Sequence, residues 1–86
     1  MVNEFSDPGR STWYSNELLL RCEPNRKAVA TLAVGSYVFL NLRKGIGNQP
    51  RGRIKEIAEV DGQLCAKVVG WRTKPQIVPL WALIEA

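Results

Sequence analysis

The sequence predicts a mainly β chain folded as one small closed barrel, with a short N-terminal helix or arm and a late 3₁₀ turn. Three observations predict it. From Val34 onward, short runs rich in aromatic and β-branched residues alternate apolar with polar positions. Turn residues break up those runs at Gly45 to Pro50, Asp61-Gly62 and Lys74-Pro75. The chain has 86 residues, enough for one domain and not two. Closure suits so small a sheet because it removes edges that would otherwise pair with other chains.

In chain order, the first ten residues are polar, with a turn at Asp7-Pro8-Gly9, and a flexible segment is expected over 1–12. An arm over 13–33 then packs on a barrel that occupies 34–86. Within the arm, Ser15 can cap a short helix through Asn16, Glu17 and Leu18-Leu19-Leu20. The same residues can also form an edge strand, and a three-leucine run does not decide between them. Pro24 closes the segment either way. Ala28 to Ala33 reads as a strand or one helical turn.

Gly35-Ser36 opens the run Tyr37 to Leu42, which places Val38, Leu40 and Leu42 on one face and Tyr37, Phe39 and Asn41 on the other. The segment from Gly45 to Pro50 is a loop. Arg51 to Ile57 is a second strand, and the step from Ile54 to Ile57 breaks period two, which predicts a bulge or strong bend. Asp61-Gly62 between two apolar runs is a hairpin signal. Gln63 to Trp71 is the third strand and Gln76 to Leu80 a short last one. A single 3₁₀ or helical turn is expected over Pro79 to Leu83.

Composition excludes several function classes. No apolar run approaches the ~20 residues of a membrane helix, and the polar N-terminus does not read as a secretory leader. A cytoplasmic chain with no membrane partner is the expectation. Cys22 and Cys65 are read as two buried thiols, since a secreted chain this small would carry more cysteine. The absence of histidine and the presence of only two thiols argue against a zinc site. Nothing stands ready to activate Cys65 as a nucleophile, and no carboxylate pair is spaced for acid–base work. The loop at Gly45-Ile46-Gly47-Asn48 lacks the glycine–lysine–serine order of a phosphate-binding P-loop. No catalytic residue, metal or cofactor is expected.

Charge gives the positive signal. The formal net charge is +4. Residues 1–30 balance, so the whole excess falls in 31–86. Arg43, Lys44, Arg51, Arg53 and Lys55 occur with no acidic residue between them, and Arg72 and Lys74 follow at the next corner. Arg51, Arg53 and Lys55 alternate, so a flat strand would present all three on one face. Several cations held together are how a phosphate backbone is bound, through displacement of counterions. Trp71 ends a strand beside Arg72 and Lys74, so its ring can sit at the positive face and stack on a base. The same face would also suit an acidic protein surface.

The pattern Gly35-x-x-Val38, loop, Gly52-x-Ile54, hairpin, Ile77-Val78-Pro79-Leu80-x-x-Leu83 resembles SH3-like barrels of the KOW and Tudor type over residues 34–85. The resemblance implies a module that binds RNA, DNA or a protein segment. The stretch Pro75-Gln76-Ile77-Val78-Pro79-Leu80-Trp81-Ala82-Leu83 also resembles the closing segment of the type II, plasmid-borne dihydrofolate reductases, which are SH3-like barrels as well. That likeness implies a homotetramer in which Gln76 and Ile77 line a central pore for NADPH and dihydrofolate. The family's tyrosine is Val78 here, and its pore lysine falls at Leu40. Three readings follow: a non-enzymatic nucleic-acid-binding module; a protein–protein adaptor or self-assembling subunit that uses Trp13, Tyr14 and Leu18 to Leu20; and a pore-type NADPH-dependent reductase.

Overall fold

The computed structural model describes residues 12–86. The expected turn at Asp7-Pro8-Gly9 and the expected loose segment over 1–12, apart from Thr12, lie outside the described residues. The chain is mainly β. Six strands form one sheet: β1 (Thr12–Trp13), β2 (Tyr37–Leu40), β3 (Gly52–Val60), β4 (Gln63–Val69), β5 (Gln76–Pro79) and β6 (Leu83–Glu85). Their order is β1-β5-β4-β3-β2-β6. Neighbours are antiparallel except β1 and β5, which run parallel.

The expected closure is corrected: the ladder is open, because β1 ends it on β5 and β6 ends it on β2. Neither edge strand pairs with the other. The arm fills the gap in their place. Asn25 donates through Nδ2 to the Leu83 carbonyl at 2.9 Å, and its backbone N–H donates to the Trp81 carbonyl at 2.8 Å. Backbone groups at the β6 end of the sheet are thereby satisfied by the arm and not by a closing strand.

Within the arm the helical alternative holds. α1 spans Asn16–Leu20, and Ser15 Oγ accepts from the Leu18 N–H at 3.3 Å as an N-cap. The second segment is a helical turn, α2 (Ala28–Thr31). The late turn is a 3₁₀ helix, Leu80–Ala82, between β5 and β6.

The hairpin at Asp61-Gly62 has both central residues in the left-handed region, φ 52° and 79°, as a tight two-residue connection between twisted strands requires. The bulge lies where the sequence placed it. Ile54 pairs with Val68, but Glu56 pairs with Lys67 and Ile57 with Ala66, so Lys55 is the extra residue. This returns Ile57 to the core side. The main core joins Val38 and Leu40 of β2, Ile54, Ala66, Val68, Val78 and Leu83, roofed by Cys22, Ala28 and Leu32 of the arm. A smaller cluster of Ala58, Cys65 and Ile77 lies on the opposite face of β3, β4 and β5. Both cysteines are free and buried, as expected.

Candidate functional site

The basic residues fall into separate groups around β3. On the outer face, Arg53 stands opposite Tyr37 of β2 on one side and Val69 of β4 on the other. Arg51, just before β3, lays its guanidinium over the Tyr37 ring, 4.9 Å from the centroid. Arg53 and Lys55 line a shallow groove with Val34 and Val69. Alternation therefore does expose Arg51, Arg53 and Lys55, although Lys55 reaches the surface as the bulged residue.

The other group surrounds Trp71. Gly52 points to the inner side of β3, and the indole of Trp71 lies across it. A Cβ at Gly52 would overlap Val68 Cγ1 and come within 2.7 Å and 2.8 Å of two indole atoms. Only glycine leaves this space open. Trp71 Nε1 donates to the Pro50 carbonyl at 2.9 Å, and its ring meets Tyr14 edge-on, with centroids 5.6 Å apart. Arg72 sits over the Tyr14 ring at 5.8 Å. Burial pushes the Tyr14 hydroxyl above its ordinary pKa, and the Arg72 cation partly opposes the shift.

Tyr14, Leu18, Arg21, Gln49, Trp71 and Arg72 line most of a groove of about 200 Å³. A second groove of about 530 Å³ is lined by Leu20, Arg21, Leu42, Arg43 and Lys44. Arg21 and Leu42 belong to both, so the two depressions adjoin. Local bonds fix the walls. Cys22 and Leu42 form an isolated antiparallel bridge, and the Arg43 N–H donates to the Arg21 carbonyl at 2.9 Å. The Gln49 carboxamide accepts from the Leu40 N–H and donates to the Leu40 carbonyl, both at 3.0 Å, and so ties the glycine-rich loop to β2.

No carboxylate lines these grooves. Among the described residues the ion pair is Lys67 with Glu56, 2.8 Å apart, and none of Arg21, Arg43, Lys44, Arg51, Arg53, Lys55 and Arg72 lies in such contact. Lys74 is exposed on the β4–β5 corner and lines none of the three grooves. Gln76 is 4% exposed and donates to the Lys74 carbonyl at 2.9 Å, while Ile77 is 3% exposed in the smaller cluster. Leu40 is buried in the main core. Among the described residues no group of three or more histidine, cysteine or acidic side chains is placed to hold a metal. Among the described residues no helix is long and apolar enough to cross a membrane.

Sequence reasoning missed Arg21 and Gln49. Arg21 lies in the first 30 residues, where charges cancel, so a charge count passes over it. Gln49 carried no signal, because its role depends on a strand nine residues earlier. The chain matches no protein-family model, no curated protein and no solved structure.

Proposed function

We propose that the chain is a nucleic-acid-binding module whose main contact surface is the pair of adjoining grooves. The observation that carries this reading is their lining. Arg21, Arg43, Lys44 and Arg72 rim a concave surface walled by Tyr14 and Trp71, with no carboxylate to neutralise the cations. Unpaired cations are what a polyphosphate needs, because each phosphate neutralised releases counterions. Aromatic walls add faces on which bases of any sequence can stack. The resemblance to KOW and Tudor modules over residues 34–85 supports the same class of function.

The test is a titration of mixed-sequence RNA and DNA between about 50 mM and 200 mM salt. With about four phosphates engaged, the log–log slope of affinity against salt is about −3 to −4. Replacement of Arg21, Arg43 and Lys44 by alanine flattens that slope and weakens binding to all sequences alike. Binding insensitive to salt, or unchanged in the triple variant, contradicts the proposal.

A further inference from the structure

The geometry points to an unpaired strand, not a duplex, as the nucleic acid this surface takes; the inference rests on the nucleic-acid reading above. A duplex is read by a protruding helix or two-stranded ribbon that fits its major groove. α1 and α2 have five and four residues and carry no cation. The β3–β4 hairpin is the longest two-stranded ribbon, and its tip carries Glu59 and Asp61, which a phosphate backbone repels. Neither element of this chain is built to enter a groove.

The cations instead occupy two sides of β3. Arg51 and Arg53 lie on the outer side with Tyr37, whereas Gly52 opens the inner side to Trp71, Tyr14 and Arg72. The two sides meet at Pro50-Arg51, where Trp71 is tied to the Pro50 carbonyl. The described residues span 35 × 27 × 25 Å. A stiff duplex, with a persistence length of about 50 nm, pays a deformation energy to follow a corner of that size. A single strand does not.

Each side also offers a guanidinium stacked on a tyrosine, Arg51 on Tyr37 and Arg72 on Tyr14. Such a pair serves a phosphate and a base at once, and only an unpaired base can reach its flat face. Tyr37 is 47% exposed, so its ring is available on the surface.

The experiment measures fluorescence anisotropy of a labelled single strand of about 12 nucleotides, as RNA and as DNA, against the matching duplex at equal salt. The single strand is expected to bind at least about tenfold more tightly. Tyr37→Ala weakens the single strand by about fivefold or more and leaves the duplex unchanged, while Tyr37→Phe keeps the affinity. Tyr37 is a surface residue, so the variant folds; its circular dichroism confirms this in the same preparation. Equal or tighter binding of the duplex overturns the single-strand inference alone. Preference for the single strand without any loss in Tyr37→Ala or Arg51→Ala overturns the two-sided path. No binding of any form at low salt, or equal capture of polyglutamate, overturns the nucleic-acid reading itself.

Discussion

The two halves of β3 carry opposite charge to opposite ends. Up to and including the bulged residue, Arg51, Arg53 and Lys55 face solvent and none forms an ion pair. After it come Glu56, Glu59 and the hairpin residue Asp61. The bulge is the boundary. It turns Glu56 toward Lys67, which is 5% exposed, and so commits the nearest carboxylate to a buried ammonium. A strictly alternating strand would have aimed Glu56 at the core and Ile57 at solvent. One extra residue therefore keeps the core apolar and leaves the basic half unneutralised.

The largest expected effect comes from Gly52→Ala, at the inner side of the basic half. The new methyl must displace both Val68 and Trp71. A loss of about 3 kcal/mol in unfolding free energy is expected, together with a change in the Trp71 environment seen by near-ultraviolet circular dichroism. A wild-type spectrum and midpoint would show that Trp71 does not seat on Gly52.

Deletion of Lys55 has a smaller effect and sharpens the contrast. The ladder becomes regular, yet Glu56 still meets Lys67 and Ile57 still meets Ala66. The fold is expected to persist, with binding weakened by the loss of one cation and the salt slope reduced by about 0.7 to 0.9. Unfolding of this variant would mean that the bulge does more than absorb one residue.

The smallest effect is electrostatic. Burial raises the pKa of both thiols, Cys22 and Cys65, above 9.0. Arg43 opposes the shift at Cys22, whereas Asp61 adds to it at Cys65. The folded state holds these protons more tightly than the unfolded chain, so their stabilisation is complete below pH 9.0 and is lost as pH rises beyond it. Midpoints of urea unfolding should fall above that pH. Cys22→Ala and Cys65→Ala should each flatten the fall, and an unchanged fall in both variants would contradict the burial of the thiols.

Local chemistry made much of this legible. The Asp61-Gly62 turn, the Ile54-to-Ile57 step and the Gly45 to Pro50 loop each encode their geometry within a few residues. Open or closed topology is different in kind. Whether β1 and β6 meet depends on strand lengths and on Asn25 reaching Leu83 across the chain, which no local pattern contains. β6 itself follows a 3₁₀ turn and is held by pairing with β2, so Leu83-Ile84-Glu85 offered too few residues for a period. Alternation put Arg51 and Arg53 on the exposed face, where they lie. The groove residues Tyr14, Arg21 and Trp71 are joined only by folding, and the reason for glycine at Gly52 is an indole nineteen positions later.

The most direct measurement is a map of backbone amide shifts during titration with a single-stranded oligonucleotide. Shifts are expected at Arg21, Arg43, Tyr37, Arg53 and Trp71, including its indole N–H, with the hairpin from Glu59 to Gln63 unmoved. Shifts centred on that hairpin, or on the separate depression lined by Asn25, Val29, Leu64 and Trp81, would contradict the account.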